Sequence, residues 1–590
     1  MGKYRVVRSR FSRPLLGALL VVLLLVVVGV GAQWLARVSF SSIVSYPAPV
    51  AVTLEPGAPG PALSRRVVMV VIDGLRMDAF QRMGLLERYR RRASLWRVWV
   101  DEPSLSFPGW TAILSGAPPE ISGVTTNWYR GAVKVDHLMA AARRSGLSTA
   151  AAGSAGWGQL FAGSIEDFVG VSEPGYTDLP GIHATTFAVT TAAERILREG
   201  RARLVLLHYP APDLMGHGFG ATSQAYADAV RAIDEDLTRL LGHLDLESTT
   251  VVITSDHGHI DSGGHGGWER VVKEVPLLFL GAGIAPDEWP EPRRHADIAP
   301  TVAALLGVRI PAHSVGRPLI EALAEIPGGL EQRWSVQQAR LFDAYSVAVL
   351  GRHEPVLTSP LGGPDPEAII RVSDELSRQM ARWRAEALAR DRARRLPFII
   401  LAAVLPLAYL FVGRPRRDLV PALAGAAVFS GVNFGLYFGK GYYYSLSLIN
   451  REELLQPFLL ARTIDAAIAV AIGALVAGWA ARRRGVRAAA LTGVSTSFFA
   501  AYLMVAQVLP FVLNWGIRFR YYLPDLRAGF KFYLDLLALT PVGLLGLPLV
   551  AVSLLGYALG RGTDRLTGGR RRPAATPDSP SSAAAPGRPE

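Results

Sequence analysis

The chain has 590 residues, enough for more than one domain. Half of its residues are hydrophobic, a high share for a soluble protein, and the absence of cysteine excludes disulfides, thiolate metal sites and cysteine nucleophiles. The formal net charge is +13, but the basic residues flank apolar segments, so the charge indicates membrane topology and not nucleic-acid binding.

The first element in chain order is an apolar segment, Pro14–Ala36, which contains no charged residue and follows a basic N-terminus. A signal peptide has an apolar core of roughly 7–15 residues, whereas a transmembrane helix needs roughly 20. We therefore predict a basic cytoplasmic N-terminus at residues 1–14 and a transmembrane anchor at residues 15–36, with a cleaved signal peptide as the alternative. A linker rich in proline, glycine and alanine follows at residues 37–64.

Short apolar runs alternate with helical patterns over residues 65–375, which we predict to be the catalytic domain. The helical spacing of apolar residues predicts a helix over Ser223–Leu244. The alternation predicts an α/β fold with a mostly parallel sheet and helices on both faces. Such sheets bind ligands at the carboxyl ends of their strands. The predicted buried strands are Val67–Ile72, Leu204–Leu207, Thr250–Thr254 and Leu277–Leu280.

Two motifs supply the first candidate residues of a site. Asp73 ends the first predicted strand in VVMVVIDG, although many strands end in an Asp-Gly turn. Ser106 precedes a Phe-Pro pair, and because proline suits a first helical turn, we place Ser106 near a helix N-terminus that favours an anion. The alternatives are an ordinary N-cap serine, or Ser104 or Thr111 as the reactive hydroxyl.

Two further motifs supply carboxylates and imidazoles. Asp213 and His217 are four residues apart, so in a helix they share one face. Asp256 and His257 follow the third predicted strand, and His265 lies eight residues on in the glycine-rich segment TSDHGHIDSGGHGGW. Three histidines and two aspartates within ten residues are hard to explain by packing. We expect the remaining two, His259 and Asp261, to lie behind the ligands or in solvent.

Zinc prefers nitrogen and carboxylate ligands of this kind. Two metals a few ångströms apart can stabilise the attacking and leaving oxygens of an in-line displacement, and a serine beside them becomes a nucleophile. We therefore predict two Zn²⁺ ions, with another divalent metal as the alternative, and a serine that attacks phosphorus. The predicted ligand set is Asp73, Ser106, Asp213, His217, Asp256, His257 and His265.

The order D-G, S-F-P, D-x-x-x-H, S-D-H-G and G-H-G resembles that of the alkaline phosphatase superfamily over about Arg65–Leu319. The resemblance is to its nucleotide pyrophosphatase/phosphodiesterase and phosphoethanolamine-transferase members. It implies Ser106 as the nucleophile, with a covalent intermediate, and Asn127 as a phosphate-binding residue, for which a turn asparagine is the alternative. It also implies one zinc on Asp213, His217 and His265 and the other on Asp73, Asp256 and His257.

A narrower resemblance is to the glycosylphosphatidylinositol ethanolamine-phosphate transferases. It rests on EVPLLFLGAGI and HADIAPTVAALLGVRIPAHSVGRPL and on an N-terminal span, a catalytic domain and a multispan region in this order. Three features depart from the families: fewer C-terminal spans, His295 where those transferases have glutamine, and Ser106 where the phosphodiesterases usually have threonine. The arginine that sulfatases need after the S-x-P segment is absent, which argues against a sulfatase.

The last third of the chain is predicted to hold a basic juxtamembrane helix at 376–396, a five-span membrane domain at 397–560 and a disordered cytoplasmic tail at 561–590. Within it, Arg382–Arg395 reads as a solvated helix or as a clamp on anionic headgroups. A cluster of Arg518, Arg520, Arg527 and Lys531 is placed on the outer side. The predicted spans are Pro397–Val412, Leu419–Phe438, Ile464–Ala481, Ala488–Leu513 and Leu534–Leu559.

With six spans in all, the basic segments Arg414–Arg417, Arg482–Arg487 and Arg570–Arg572 fall on the side of the N-terminus. We therefore expect both termini in the cytoplasm and the catalytic domain outside it, periplasmic in a bacterium or lumenal in a eukaryote.

Together these features predict a membrane-anchored phosphoryl-group transferase that moves a phosphoethanolamine-type headgroup from a lipid to a glycan or lipid acceptor. Its partners would be the bilayer and a phospholipid or glycolipid substrate, without nucleic acid. One alternative is a membrane-bound phosphodiesterase or phosphatase that uses water as the acceptor. Another is a transporter or scaffold with an inert soluble domain.

Overall fold

The computed structural model describes residues 13–50, 53–356, 366–411 and 419–568. The helices of this part are α1 Arg13–Val44, α2 Met77–Phe80, α3 Gly84–Tyr89, α4 Ser106–Ser115, α5 Pro119–Ser122, α6 Leu138–Arg144, α7 Ala155–Leu160, α8 Leu179–Glu199, α9 Ala211–Phe219, α10 Gln224–Gly242, α11 Arg270–Lys273, α12 Ile298–Leu306, α13 Leu330–Leu350, α14 Pro366–Phe411, α15 Leu419–Gly439, α16 Leu455–Ala480, α17 Val486–Trp515, α18 Leu526–Leu544 and α19 Pro548–Gly568. The strands are β1 Arg66–Ile72, β2 Ala93–Trp99, β3 Thr149–Ser154, β4 Asp167–Val171, β5 Leu204–Tyr209, β6 Thr249–Thr254, β7 Glu274–Gly281, β8 Asp287–Glu288 and β9 Arg293–Arg294.

The strands form one sheet in the order β4-β3-β5-β1-β6-β7-β2-β8, with β9 also paired to β2. Strands β4, β3, β5, β1 and β6 run parallel, whereas β7 is antiparallel to both of its neighbours. The four strands predicted from the sequence correspond to β1, β5, β6 and β7, and the predicted helix corresponds to α10. The prediction of a mostly parallel α/β sheet is confirmed.

Helices cover both faces of the sheet because successive side chains of a strand point to opposite sides. Val67 of β1 packs in a cluster with Trp110 of α4 and Val302 of α12. The next residue, Val68, packs in a separate cluster with Val189 of α8 and Ile233 of α10. The central strand is therefore buried on both faces, which explains its continuous apolar sequence.

Several helices of the described chain are long and apolar enough to cross a membrane. Four qualify singly: Leu20–Val44, Leu419–Gly439, Glu452–Ala480 and Val486–Trp515. Helices α18 and α19 pass the same test only as a pair, bent by 74°. Length and composition thus give four candidate spans, or five if the bent pair is one span. The predicted span Pro397–Val412 ends outside the described residues, and its described part is the end of α14.

The predicted span Leu534–Leu559 is not one continuous helix, because the helix breaks after Leu544 and restarts at Pro548. Proline has no N–H to continue the hydrogen-bond ladder, and its ring clashes with the preceding turn. The sequence here, GLLGLP, also contains two glycines, which weaken a helix. Apolarity alone did not reveal this break.

Predicted domain boundaries fall inside three helices. Helix α1 continues to Val44, into the predicted linker, and α19 continues to Gly568, into the predicted disordered tail. Helix α14 runs without interruption through the predicted limits of the juxtamembrane segment, and its Leu376 and Trp383 pack into the core of the catalytic domain. Apolar patterns mark the part of a helix that is buried and do not mark where the helix ends.

The helices of the predicted membrane domain present alternate ends to the predicted catalytic domain. The end of α1 contacts it through the hydroxyl of Thr125, which donates to the carbonyl of Ile43. The loop between α15 and α16 contacts it through Asn450. At the opposite end, Arg482 after α16 pairs with Asp564 of α19 at 3.2 Å. The basic loop 482–487 and the end of α19 are thus together, on the far side from the catalytic domain.

Candidate active site

The seven predicted site residues meet at the carboxyl edge of the sheet. Asp73 follows β1, and Ser106 is the first residue of α4. Asp213 and His217 are one turn apart on α9, which follows β5. Asp256 and His257 follow β6, and His265 lies in the loop beyond them. Strands β5, β1 and β6 are parallel neighbours, so the segments that follow them converge.

One half of the site is formed by Asp213, His217 and His265. The Oδ1 atom of Asp213 lies 3.5 Å from Nε2 of His217 and 3.6 Å from Nε2 of His265. The two Nε2 atoms are 3.1 Å apart. The three ligand atoms expected for one metal ion are therefore grouped closely enough to bind one.

The other half is formed by Asp73, Asp256 and His257, whose ligand atoms lie within 4.8 Å of one another. Nε2 of His257 is 3.4 Å from Oδ1 of Asp73 and 3.5 Å from Oδ2 of Asp256. Oδ1 of Asp73 is buried and finds no hydrogen-bond donor among the described residues. A cation would satisfy this oxygen.

The hydrogen bonds of the histidines identify their tautomers. His257 and His265 each place Nδ1 beside a backbone carbonyl, at 3.2 and 3.0 Å, and His217 places Nδ1 2.9 Å from Oδ1 of Asn450. Because these oxygens only accept, each Nδ1 carries the proton and each Nε2 presents a lone pair to the centre of the site. Facing lone pairs repel unless a cation lies between them, so the donor set fits a metal centre.

Burial and mutual repulsion perturb the carboxylates. Burial, with the charges of Asp256 and Asp213, raises the pKa of Asp73 well above its usual value, and burial with Asp213 raises the pKa of Asp256 to about 7. Burial would also raise the pKa of Asp213, but the imidazoles of His217 and His259 hold it well below its usual value. A divalent cation stabilises ionised carboxylates and would lower the two raised values.

Burial also keeps His257 and His265 neutral, as metal ligands must be. It lowers the pKa of His257 to about 4 and that of His265 well below its usual value. Neutral imidazoles beside buried carboxylates are the donors that zinc takes in catalytic sites.

The structure places two flanking residues more definitely than the sequence did. His259 is fully buried, and its Nε2 lies 2.9 Å from Oδ1 of Asp213. It also comes within ligand range of Asp213 and His217. Asp261 is 75% exposed and pairs with Arg76 at 2.6 Å. His259 thus belongs to the site, whereas Asp261 lies at its solvent edge.

Sequence reasoning missed His208, which orients Asp73. Its Nε2 donates to Oδ2 of Asp73 at 2.9 Å, while Nδ1 accepts from the backbone N–H of Ser154 at 3.4 Å. Burial lowers the pKa of His208 to about 3, so it is neutral. His208 pairs with Val71 across β5 and β1, so it reaches Asp73 through a strand neighbour that the sequence does not identify.

The hydroxyl of Ser106 lies beside the half of the site formed by Asp73, Asp256 and His257, at 3.3 Å from Nε2 of His257. The two alternative hydroxyls are engaged elsewhere: Ser104 donates to a backbone carbonyl at 2.9 Å, and Thr111 donates to one at 2.8 Å. Asn127 is tied to the start of α4, because its Oδ1 accepts from the N–H of Phe107 at 3.0 Å. The side-chain NH2 group of Asn127 is then the part that can donate a hydrogen bond into the site.

Ser106 and Asn127 line a cavity of about 380 Å³, which is in the size range of small-ligand sites. Ser106, at the N-terminal end of α4, lies where the helix favours negative charge. The cavity is therefore suited to an anionic group such as a phosphate ester. Its polar lining includes Asp73, Ser106, Asn127, Asp213, His217 and His265.

A loop of the membrane domain completes the site, which the sequence did not indicate. Asn450 accepts from Nδ1 of His217 and donates to its backbone carbonyl, each at 2.9 Å. Ser447 accepts from the N–H of Gly267 at 3.0 Å. A Cβ atom on Gly264 would lie 2.1 Å from the carbonyl of Ser447, so the glycine-rich segment around His265 allows this loop to approach.

A second cavity, of about 280 Å³, connects the candidate metal ligands to the apolar helices. His217 and His265 line it on one side. On the other side it is lined by apolar residues of α1, of α16 and of the α18 region, including Phe40, Ile43, Leu455, Leu459, Phe530 and Phe532. A molecule with one polar and one apolar part could thus occupy both cavities.

Residues 67–278 match the family model described as type I phosphodiesterase / nucleotide pyrophosphatase. GPI ethanolamine phosphate transferase 3, catalytic subunit, of Mus musculus is 26% identical over 304 residues, which are 46% of this chain and 27% of that protein. GPI ethanolamine phosphate transferase 1 of Emericella nidulans is 24% identical over 408 residues, 57% of this chain and 43% of that protein. The matches thus span less than half the length of these relatives. Among solved structures, the wild-type alkaline phosphatase PafA is 13% identical with a TM-score of 0.38, covering 45% of this chain and 99% of that one.

Proposed function

Because residues 67–278 form a type I phosphodiesterase / nucleotide pyrophosphatase domain of the alkaline phosphatase superfamily, we propose that the chain is a membrane-anchored two-zinc transferase. It would move a phosphoethanolamine-type headgroup from a lipid to a hydroxyl of a glycan or lipid. The observation that carries this proposal is the cavity that joins His217 and His265 to the apolar helices. A soluble phosphodiester would need no such cavity, whereas a lipid would.

The relatives support the same chemistry. The proteins of Mus musculus and Emericella nidulans are named as GPI ethanolamine phosphate transferases. A phosphoethanolamine group on a lipid donor and a hydroxyl on an acceptor are the reactants that such a transfer requires. In this chain we assign the donor as an ethanolamine phospholipid and leave the acceptor as a glycan or lipid hydroxyl.

We assign the metals to two groups of ligand atoms. Asp213, His217 and His265 would hold one zinc ion, and the second group would hold the other. When bound, the two cations stabilise negative charge on the oxygens of the transferring phosphate. Three buried carboxylates alone would repel an anionic phosphodiester, and two divalent cations more than compensate for their charge. The second group is Asp73, Asp256 and His257.

In the first step, the Oγ atom of Ser106 loses its proton and attacks phosphorus. The bond between Oγ and phosphorus forms while the bond between phosphorus and the glycerol oxygen breaks. Diacylglycerol leaves after its oxygen takes up a proton, and phosphoethanolamine stays on Ser106 as a phosphodiester. The start of α4 and the amide nitrogen of Asn127 hold the nonbridging oxygens during this step.

In the second step, the acceptor hydroxyl loses its proton and attacks the same phosphorus. The bond from Ser106 breaks, its Oγ atom regains a proton, and the headgroup becomes a phosphodiester of the acceptor. The net result of both steps is that one proton moves from the acceptor hydroxyl to the diacylglycerol oxygen. No further reactant is needed. The apolar cavity keeps the departing diacylglycerol in the membrane.

The placement of helix ends supports a catalytic domain outside the cytoplasm. The end of α1 and the loop after α15 contact the catalytic domain, whereas the basic loop 482–487 lies at the other end with the end of α19. Basic loops favour the cytoplasmic side. The bent pair α18 and α19 begins near the catalytic domain and ends beside Arg482, so we treat it as one crossing.

A transfer assay tests the proposal. The full chain would be reconstituted in nanodiscs with phosphatidylethanolamine labelled in its headgroup, with a long-chain alkyl glycoside as the acceptor. We expect labelled glycoside and an equal amount of diacylglycerol. Free labelled phosphoethanolamine in place of labelled glycoside would indicate a hydrolase, and no consumption of the phospholipid would indicate an inert domain.

Two serine variants make the assay specific. Ser106→Ala should lose turnover, because no other hydroxyl lies in its place. Ser145→Ala, at an exposed position after α6, should behave as the unaltered chain does. Equal activity of both variants would contradict the assignment of Ser106.

A further inference from the structure

A third cavity, of about 680 Å³, lies among the membrane helices and shares no lining residue with the two cavities of the catalytic site. It is enclosed by α1, α14, α17, α18 and the loop between the last two. Its volume is in the range of sites that hold an organic ligand, roughly 300–1,000 Å³. The catalytic mechanism makes no use of it.

One end of this cavity is apolar. It is lined by residues of four helices that have no charge and no hydrogen-bonding side chain. Lipid chains are the ligands that such a surface accepts within a membrane. The lining here includes Gly31, Leu35, Ala402, Val505, Val508 and Leu539.

The other end carries arginines. Arg395 is engaged, since it lies 3.1 Å from Asp391 and donates to the carbonyl of Leu513 at 3.2 Å. Arg394, Arg518 and Arg520 are exposed, and none has a hydrogen-bond or ion-pair partner within the described part of the chain. Three unpaired guanidinium groups at the mouth of an apolar cavity are complementary to an anion with an apolar tail.

The neighbouring cations differ in this respect. Arg527 lies over the ring of Trp268, with 4.9 Å to the ring centroid, and Lys531 pairs with Asp535 at 2.5 Å. On α14, Arg382 pairs with Glu375 at 2.7 Å. These three cations are thus engaged elsewhere, whereas Arg394, Arg518 and Arg520 are not, and we assign the clamp on anionic headgroups considered from the sequence to the cavity.

The arginines lie at the end of the helices that faces the catalytic domain. The loop that carries Arg518 and Arg520 is fixed to the end of α1, because the N–H of Phe519 donates to the hydroxyl of Ser42 at 2.7 Å. Along α14, Arg394 precedes the apolar Ala402. The charged end therefore lies where a lipid headgroup would be, and the apolar end where its chains would be.

We propose that this cavity binds one phospholipid with a net anionic headgroup. Its phosphate would contact Arg394, Arg518 and Arg520, and its chains would lie along α1 and α17. Phe519 lies between two of these arginines in the sequence and lines the cavity of about 280 Å³ that contains His217 and His265. The bound lipid would therefore touch the wall of that cavity. The proposal concerns binding and does not rest on the transferase activity.

Lipid retention by the full chain tests this. The protein would be placed in nanodiscs of phosphatidylglycerol and phosphatidylcholine in equal amounts, released into mild detergent and examined by native mass spectrometry. We expect one retained phosphatidylglycerol molecule per chain, with phosphatidylcholine at most one tenth as abundant. Excess inorganic phosphate should not displace it, because phosphate lacks the chains.

Two variants address the two ends of the cavity. The triple variant Arg394→Gln, Arg518→Gln, Arg520→Gln should lower retention at least tenfold. Gly31→Trp should lower it as well, because a Cβ atom at this position has no neighbour within 4 Å among the described residues and the ring would fill the apolar end. Thermal unfolding would establish that each variant is folded.

A control triple variant removes the same charge elsewhere on α14. Arg378→Gln, Arg382→Gln, Arg392→Gln, at exposed positions outside the cavity lining, should retain the lipid as the unaltered chain does. Retention by the cavity triple variant at the level of this control would overturn the proposal. Equal retention of phosphatidylcholine by the unaltered chain would overturn the assignment of an anionic headgroup.

Discussion

Asn450 is the residue of the membrane domain that contacts a candidate metal ligand, His217. It accepts a hydrogen bond from Nδ1 of His217 and donates one to the same residue's carbonyl. Partners of this kind fix the tautomer and the ring orientation of a metal-binding histidine. The membrane domain would thereby tune the centre and also anchor it.

Asn450→Ala should weaken zinc binding, because His217 loses the group that fixes its Nδ1 proton. Loss of such a partner typically costs about 10–100-fold in metal affinity or activity. Chelator competition would measure the affinity. Asn450→Asp keeps a hydrogen-bond acceptor and should retain more of the zinc affinity. Asn514→Ala is the matched control, because the contact of Asn514 with Arg395 is made by its backbone carbonyl. Equal affinity in Asn450→Ala and the control would rule out this role.

His265 belongs to one of the two ligand groups, so its removal should affect one metal ion. Elemental analysis should find two zinc ions per unaltered chain and about one in His265→Ala. His353→Ala is a suitable control, because that histidine is 78% exposed and pairs with Asp343 away from the site. Fewer than two zinc ions in the unaltered chain, or none lost in His265→Ala, would be inconsistent with the ligand assignment.

At the scale of elements, small residues let the membrane helices pack closely. A Cβ atom on Gly543 of α18 would lie 2.5 Å from the carbonyl of Leu25 and 2.7 Å from the backbone nitrogen of Gly29 in α1. Close backbone approach at small residues is typical of helix association in membranes. The anchor helix is therefore part of the membrane domain and not a separate tether.

Gly543→Ala should destabilise the chain, since the added methyl group must displace the backbone of α1. Overpacking of this kind costs typically about 1–3 kcal/mol. Gly562→Ala in α19 meets nothing within 4 Å in the described structure and should stabilise its helix by about 0.5–1 kcal/mol. Thermal unfolding in detergent would compare the two. Gly543→Ala as stable as Gly562→Ala would mean that α1 does not approach α18 this closely.

The motifs predicted the location of the site because three of the segments that carry it follow parallel strands, whose carboxyl ends share one edge of the sheet. His208 could not be found in this way, since only the pairing of β5 with β1 brings it to Asp73. The role of Asn450 depends on its contact with His217, which lies 233 positions earlier in the chain. The periodicity of the sequence does not predict a contact over this distance. Single positions such as Pro548 set the helix break, whereas hydropathy averages over many residues.

The proposed topology of the whole chain places the catalytic domain and the basic loop 482–487 on opposite sides of the membrane. The chain contains no cysteine, so single cysteines can report on this directly. Glu247→Cys, at a side chain 90% exposed on the catalytic domain, should react with a membrane-impermeant maleimide in intact vesicles or spheroplasts.

Arg483→Cys should be protected from the same reagent until the membrane is opened. Its side chain is 79% exposed, so burial in the protein would not explain the protection. Both cysteines reacting from one side would show that the assigned topology is incorrect.

In the proposed mechanism, Ser106 carries the headgroup between lipid and acceptor. The most direct measurement is intact-protein mass spectrometry, with peptide mapping, of chain quenched in acid during turnover of phosphatidylethanolamine. We expect an added mass of one phosphoethanolamine group on Ser106. This mass should disappear when an acceptor glycoside is added before the quench, and it should be absent from Ser106→Ala. Diacylglycerol release with Ser106 unmodified under all these conditions would contradict it.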